Sequence, residues 1–412
     1  MDEIPPYPLY GSTYTLYRLS PLFHGQTPLL TGTALKTHAR RLRDMLKGDT
    51  LRGVHVGALE NNLSNAGSLE DCTWDLLGDE EAWATTHRRT PDEEEENQGT
   101  INASEVTADN ARGVQVRLHY DKATHTALLL RDPTVDFTTP GFTSLPLLLV
   151  RMPAALRDTF LHYLTANFDT CISPMRPRSP FLTTSLERLL ARVKAAAESS
   201  QDLPSPVKPV QIQLSFPGVA PLLRNIDITI ASDDVLGLVS RGKLLGETPH
   251  PVLGTDSAVT GPFTRALQVY LATHLALALD HPGVEVSRVA CGAFALSSDG
   301  KIKLFPPQPQ SSSGSDDARN IDHTLSTSQL AMRDFYSSLL QETGRRPLLA
   351  VTADAGGNGK RAIDLVDEVA ATKAKRQRDQ SSADEVGGLL RMQTPADPPP
   401  PYELHDPARR EA

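Results

Sequence analysis

The chain has 412 residues, a formal net charge of −9 at pH 7 and only 39% hydrophobic residues, with 32 prolines and 27 glycines. The longest apolar run, residues 145–150, is far shorter than the ~20 residues that cross a bilayer, which argues against a membrane-spanning protein. The negative charge argues against a protein whose whole surface binds nucleic acid, and the proline and glycine content predicts that part of the chain is disordered.

The first elements alternate between extended and helical patterns. An aromatic, β-compatible stretch predicts a strand over residues 14–19. Apolar residues at i, i+4 and i+7 predict an amphipathic helix over residues 33–47, which Gly48 ends. Alternating apolar residues then predict a second strand over residues 53–60.

The periodic pattern is lost between residues 61 and 112, except near Trp74 and Trp83. This segment contains the acidic run 92–96, and we expect an insertion that is ordered around the tryptophans and disordered over about residues 85–110. Order resumes with an antiparallel hairpin over residues 114–131. A strand over residues 145–152 and a helix that begins near Pro153 follow.

The polar, proline-rich segment 199–209 follows a predicted helix over residues 185–198 and is the strongest candidate domain boundary. Beyond it we expect strands over 210–216 and 225–231 and a helix over 263–279. An apolar strand over 284–297 should meet residues 301–305 through the turn Asp299-Gly300. A serine- and proline-rich linker leads to a last helix over 327–341.

These elements predict an α+β fold in which a mainly antiparallel, curved sheet is flanked by helices, with a disordered insertion and a disordered C-terminal tail. The predicted division is an N-terminal α/β region at 1–198, a linker at 199–209, a C-terminal α+β dimerisation region at 210–345 and a mostly disordered tail at 346–412.

The motifs that usually accompany catalysis do not occur in this sequence: GxSxG, HExxH and GxGxxG are all missing. Residues 348–362 imitate a phosphate-binding loop, but Asp354 stands where the first glycine belongs and Arg361 replaces the magnesium-binding Ser or Thr. Scattered histidines and three isolated cysteines offer no metal-ligand spacing, and the cysteines favour a reducing compartment. We therefore expect a non-enzymatic binding protein with no catalytic residue, no metal and no cofactor.

The predicted helix over residues 33–47 carries a basic stripe beside its apolar stripe. Cations spaced along a rigid helix suit contacts with a phosphate backbone, although an ordinary solvated helix face has the same pattern. Two arginines in the loop 174–180, which precedes the predicted helix over 185–198, form a second candidate. The candidate DNA-binding residues are Lys36, Arg40, Arg41, Arg43, Lys47, Arg176 and Arg178.

The C-terminal tail contains two short candidate motifs. A basic cluster of Lys373, Lys375, Arg376 and Arg378 is typical of a nuclear localisation signal, and such clusters also arise by chance. Pro399, Pro400 and Tyr402 belong to a PPxY motif, which WW-type domains bind in a polyproline II conformation; proline-rich tails also occur without such a partner.

The predicted hairpin over residues 284–305 is apolar on both faces for much of its length. Two arrangements explain this pattern. Either the hairpin lies centrally in a covered sheet, or its edge pairs with another subunit.

Several sequence segments together resemble the centromere protein L family, and in particular its fungal members. They are residues 8–22, 39–44, 51–54, 270–277, 292–305 and 333–336. The resemblance covers most of residues 1–345 in patches and leaves out the acidic insertion and the tail.

The resemblance implies a constitutive inner-kinetochore subunit in the nucleus, at the centromere, that supports chromosome segregation. Such subunits pair with a centromere protein N-type partner through the C-terminal sheet, associate with other inner-kinetochore subunits and help to form a basic surface for centromeric nucleosomal DNA; homodimers are also known. The implied interface residues are Val284, Val286, Val289, Phe294, Leu296, Ile302 and Leu304.

Three other functions remain open from the sequence. A DNA-repair or recombination accessory factor would use the same basic helix without a centromeric partner. A cytoplasmic adaptor would be recruited through the PPxY tail. An enzyme would depend on the imperfect phosphate-loop pattern.

Overall fold

The computed structural model describes residues 5–48, 67–88, 106–135, 137, 139–199, 208–218, 223–247, 261–307 and 326–344. Seven helices lie in this part of the chain: α1 Gly32–Gly48, α2 Glu80–Arg88, α3 Ala154–Phe168, α4 Ser179–Ser199, α5 Ser232–Glu247, α6 Pro262–Leu275 and α7 Thr327–Gly344.

The same residues form thirteen strands. They are β1 Thr13–Leu19, β2 Leu22–Phe23, β3 Leu69–Leu77, β4 Gly113–Tyr120, β5 Ala123–Leu130, β6 Phe142–Thr143, β7 Leu147–Arg151, β8 Ile172–Pro174, β9 Val210–Ser215, β10 Asn225–Ile230, β11 Glu285–Ala290, β12 Phe294–Ser297 and β13 Lys301–Leu304.

Eleven of these strands form one sheet, in the order β10-β9-β11-β12-β13-β1-β7-β5-β4-β3, with β8 added beside β1. The named strands pair antiparallel, and β2 and β6 form a separate two-stranded sheet. The predicted α+β fold with a mainly antiparallel sheet is confirmed.

The first strand of the chain lies in the middle of the sheet. β1 pairs with β13 through Thr13↔Lys303 and with β7 through Leu16↔Leu149. Strands from both sides of the predicted boundary at 199–209 therefore continue one sheet. The division into two regions itself stays a prediction.

Both faces of the central strands are buried, because successive side chains of a strand point to opposite faces. In β7, Leu147 and Leu149 belong to one core, and Leu148 and Val150 belong to the other. The first core is formed with α4, α5, α6 and α7, and the second with α1 and α3. This explains why residues 145–150 are almost continuously apolar.

The apolar stretch predicted as one long strand over residues 284–297 is two strands, and that prediction is wrong. The backbone N–H of Cys291 donates to the carbonyl oxygen of Phe294 at 2.8 Å and closes a tight turn between β11 and β12. The pairing register also shifts between Val286 and Arg288, as at a β-bulge. The segment 285–304 is consequently a three-stranded meander.

Some helix bounds also differ from the prediction. α4 begins at Ser179, six residues before the predicted start. α6 ends at Leu275 because Ala276 adopts a left-handed conformation, φ 52°, and its N–H donates to the carbonyl oxygen of Leu271. β3 and α2 lie within the segment whose periodicity was lost, and the predicted strand at 53–60 lies outside the described residues.

Candidate DNA-binding and partner-binding surfaces

The basic stripe lies on a helix, as the spacing predicts. α1 buries Leu35, Ala39 and Leu42 against the second core. The cations stand on the rest of the helix surface: Lys36, Arg40, Arg41 and Lys47 are exposed, and Arg43 is half-buried. The helix is confirmed, and its contact with DNA stays a prediction.

Acidic neighbours reduce the cationic character of one position in the stripe. The Arg43 guanidinium lies 3.7 Å from the carboxylate of Asp44 and 3.9 Å from that of Asp71 on β3. Such exposed pairs are worth about 0–1 kcal/mol, so a polyanion could compete with them. Lys36 and Arg40 form no ion pair within the described residues.

His38 lies on the side of α1 that packs against the sheet and α3. The His38 ring lies 4.6 Å from the Phe168 ring and 5.8 Å from the Trp74 ring, centroid to centroid. Its Nδ1 is 3.0 Å from the Tyr163 hydroxyl, which also donates to the His38 carbonyl oxygen at 3.1 Å. Burial, and then the positive charge of Arg41, lower the pKa of His38 to about 4. The ring is therefore neutral and structural at physiological pH.

The structure does not bring Arg176 and Arg178 together with the cations of α1. Arg176 and Arg178 are exposed in the segment between β8 and α4, and α4 packs on the opposite face of the sheet from α1. Arg178 lies near Arg18 of β1, whose pKa is lowered by burial, raised in part by Glu342 and lowered further by Arg178. These arginines form a separate surface.

The predicted pairing edge at residues 284–305 is wrong, because the strands of that segment are interior to the sheet. β11 lies between β9 and β12, and β13 lies between β12 and β1. The backbone groups of both strands are thus paired within this chain. Of the implied interface residues, Val284 is half-buried and the others are buried in the first core: Val286, Val289, Phe294, Leu296, Ile302 and Leu304.

The ends of the described sheet are β10 and β3. β10 has β9 on one side and no described strand on the other. It leads directly into α5, whose Asp234 N–H donates to the carbonyl oxygen of Ala231. An unpaired strand edge presents free N–H and C=O groups that suit the addition of a strand from another chain.

Exposed apolar side chains lie on the two helices that follow β10. Leu244 on α5 is 64% exposed, and Tyr270 and Leu275 on α6 are 49% and 51% exposed. The helices touch closely: a Cβ added to Gly242 of α5 would lie 1.6 Å from the Pro262 carbonyl oxygen. We use the name apolar helix patch for these three exposed residues, Leu244, Tyr270 and Leu275, which are defined by their exposure on α5 and α6. Sequence patterns did not reveal it, since Leu244 and Leu275 have the spacing of ordinary amphipathic helices.

Other predicted sites cannot be placed. The basic tail cluster, the PPxY motif and the imperfect phosphate loop lie outside the described residues. Within the described part of the chain, no three His, Cys, Asp or Glu side chains meet in a way that would hold a metal ion. No helix described by the structure is long and apolar enough to cross a membrane.

A comparison with family models relates the chain to a known group of proteins. Residues 8–343, most of the chain, match the family model described as centromere protein L. No individual curated protein matches the chain.

Proposed function

The chain belongs to the centromere protein L family, and we propose that it pairs with a centromere protein N-type partner and helps it to bind centromeric nucleosomes. Family membership makes the chain a structural subunit of the kinetochore, located at the centromere and hence in the nucleus, with a role in chromosome segregation. The single observation that carries the proposal is the family match over residues 8–343.

The outer edge of β10, which pairs with no described strand, and the apolar helix patch support the pairing step. A strand edge supplies main-chain hydrogen bonds, and exposed apolar residues supply area that a partner can bury. The Tyr270 ring contacts the His274 ring in a tilted arrangement, with centroids 4.5 Å apart, and this contact restricts its orientation before binding. A preorganised aromatic residue is a common anchor of a protein interface.

The pairing step is tested by substituting two exposed residues of the patch. In Tyr270→Asp/Leu275→Asp, a charge would face the apolar surface of the partner, and burying an unpaired charge is costly. We expect at least a tenfold loss of affinity for a co-expressed centromere protein N-type partner. The matched control is His162→Asp/Thr165→Asp, which changes two exposed residues of α3.

Equal affinity of the patch variant and the control would place the interface elsewhere on the molecule. Failure of the unchanged chain to co-purify with the partner would overturn the pairing itself.

The exposed cations of α1 support the DNA contact. We expect Lys36→Glu/Arg40→Glu to weaken binding of duplex DNA by the partnered complex and to lower the slope of log affinity against log salt by about 0.9 for each phosphate that is no longer neutralised. The matched control is Lys122→Glu/Arg333→Glu, which reverses two exposed cations that do not belong to α1. An unchanged salt slope would show that the stripe serves only solubility.

A further inference from the structure

Ser173 begins a short sequence that suits phosphorylation by a proline-directed protein kinase. It is followed directly by Pro174 and, three residues on, by Arg176. Proline has no backbone N–H, so a kinase pocket that offers this group no acceptor selects proline at the position after the phosphorylated residue. A cation at a fixed distance adds a charge pattern of the kind by which kinases distinguish their substrates.

This combination is rare in the chain. Four other Ser-Pro or Thr-Pro pairs lie within the described residues, and the third residue after each Ser or Thr is apolar; the pairs begin at Ser20, Thr27, Thr139 and Ser179. Ser179 differs from Ser173 also because its Oγ accepts a hydrogen bond from the Val286 N–H at 3.2 Å. The full pattern occurs again only at Ser205 and Lys208, and Ser205 lies outside the described residues.

Ser173 lies on β8, a strand of three residues at the margin of the sheet. β8 pairs with β1 and with no other described strand. Few main-chain hydrogen bonds therefore hold it, and a short, singly paired strand can open locally at low cost. Ser173 is half-buried, whereas Pro174 and Arg176, the two residues that a kinase would recognise, are exposed.

The strand register places Ser173 directly opposite Arg18 of β1. Side chains opposite each other in an antiparallel pair have Cβ atoms about 4.5–5.5 Å apart on one face of the sheet. This is the face of the first core, because Leu16 and Met175, each two residues away, both belong to that core. A phosphate on Ser173 would therefore lie within reach of the Arg18 guanidinium.

Arg18 is a buried cation that lacks a partner for one of its donors. Its side chain is only 9% exposed, and its buried Nε has no hydrogen-bond partner in the part of the chain that the structure describes. Two charged groups act on it: Arg178, of like charge, and Glu342 of α7, of opposite charge. These three groups together leave one positive charge uncompensated, and a buried N–H without an acceptor is costly.

We infer that Ser173 is the phosphorylation site of a proline-directed protein kinase and that Arg18 and Arg178 hold the phosphate. The reaction forms a bond between the Ser173 Oγ and the γ-phosphorus of a nucleoside triphosphate and breaks the bond from that phosphorus to the β-phosphate oxygen. The nucleoside diphosphate leaves, and the hydroxyl proton passes to a base of the kinase. The phosphate adds about −1.5 to −2 charges and three acceptor oxygens, which suit two arginines.

The modification would have two local consequences. The phosphate competes with Glu342 for Arg18, so it weakens an attraction between β1 and the last turn of α7. It also reduces the positive charge of the surface formed by Arg176 and Arg178. The inference does not depend on the proposed DNA contact of α1, because α1 packs on the other face of the sheet.

The first test treats the folded full chain with a purified proline-directed kinase and a nucleoside triphosphate and locates the phosphate by mass spectrometry. We expect phosphate on Ser173 and at least a tenfold lower rate of its addition in Arg176→Gln. The matched control is Ser205→Ala, which removes the other copy of the pattern and should leave the rate at Ser173 unchanged. The inference is overturned if Ser173 stays unmodified in the folded chain or is modified equally fast in Arg176→Gln.

The second test follows the titration of the phosphoserine by phosphorus NMR, in the Ser205→Ala chain. The second ionisation of an exposed phosphoserine has a pKa of about 6, and nearby cations favour the doubly charged form, so the midpoint should be lower by about 1 pH unit. Arg18→Gln should restore most of this difference, and Arg178→Gln should restore part of it.

Melting curves establish that each variant is folded. Arg178 is exposed, so its variant keeps the test decisive if Arg18→Gln does not fold. A midpoint near that of an exposed phosphoserine, or one that neither folded variant raises, would show that the arginines do not hold the phosphate.

Discussion

The carboxylate of Glu187 on α4 caps the first turn of α6 by binding Thr264 twice. Its Oε1 accepts a hydrogen bond from the Thr264 backbone N–H at 2.6 Å and another from the Thr264 hydroxyl at 2.7 Å. The N-cap of α6 is Gly261, which has no side chain to supply this acceptor. A residue distant in sequence thus satisfies the helix end and fixes α6, which carries two residues of the apolar helix patch, against α4.

Replacement of Glu187 by alanine should destabilise the fold. Glu187 is only 9% exposed, and its loss leaves three buried donors without this acceptor: the N–H groups of Phe263 and Thr264 and the Thr264 hydroxyl. An unsatisfied buried group costs about 1–3 kcal/mol, so we expect a decrease of that order in the free energy of unfolding, measured with denaturant. Glu198→Ala is the matched control on α4, because Glu198 is exposed. Equal effects of the two substitutions would contradict the capping role.

The contact between α5 and α6 should respond differently to two glycine substitutions on one helix. A Cβ at position 242 would lie 1.6 Å from the Pro262 carbonyl oxygen, whereas a Cβ at position 237 would meet nothing within 4 Å. Gly242→Ala should therefore separate the helices, lower stability by about 1–3 kcal/mol and weaken partner binding. Gly237→Ala should be neutral or stabilise by up to about 1 kcal/mol through helix propensity. Similar melting temperatures for the two variants would refute this packing.

Stability should fall in mild acid because of His38. Its pKa is lowered from 6.5 in the unfolded chain to about 4 in the fold, so the folded state binds fewer protons. The associated stability is complete above pH 6.5 and is lost as the pH falls from 6.5 towards 4. Allowing for the partial exposure of the ring, we expect a loss of about 1 kcal/mol between pH 7 and pH 5.

The pH effect is isolated by comparing two variants. His38→Phe should show a smaller decrease in unfolding free energy between the two pH values than the unchanged chain. His162→Gln, which alters an exposed histidine on α3, should keep the full decrease. The assignment to His38 fails if the phenylalanine variant shows the same pH dependence as the unchanged chain.

The three cysteines should differ in reactivity. Burial raises the pKa of Cys291 to about 11, and burial followed by the charge of Asp71 raises that of Cys72 to about 12. Cys171 is exposed. Because the thiolate is the reactive form, a thiol reagent at mildly alkaline pH should modify Cys171 rapidly and the other two only after unfolding. Cys171→Ser should abolish the rapid phase, and a remaining rapid phase would contradict the burial of the other two.

Local patterns in the sequence were enough to predict several elements. The i, i+4, i+7 spacing of α1 and the alternation of β4 and β5 depend on residues close together in the chain, so they specify a helix and a hairpin directly. The turn at Asp299-Gly300 is also local: Gly300 has φ +84°, which glycine adopts without strain. The orientation of Lys36 and Arg40 away from the core follows from the same helical periodicity.

Local patterns were insufficient where two structures share one pattern. Residues 284–297 are apolar enough for a single strand, and only the hydrogen bond from Cys291 to Phe294 shows that the chain turns back. The spacing of Val286 and Val289 is consistent with the β-bulge in β11, because two residues three apart share a face of a strand only across a bulge.

The sequence by itself determined that the chain is an α+β protein without a catalytic signature. It also determined the basic amphipathic helix and contained the segments that resemble the centromere protein L family. Only the tertiary structure decided which surfaces are open. Whether a strand is an edge depends on its neighbours, and β1, from the start of the chain, pairs with β13 through Tyr14↔Ile302. That long-range pairing closes the predicted edge at 284–305 and leaves β10 at one end of the described sheet. No local pattern contains this information, because strand order is set by the burial of both cores together.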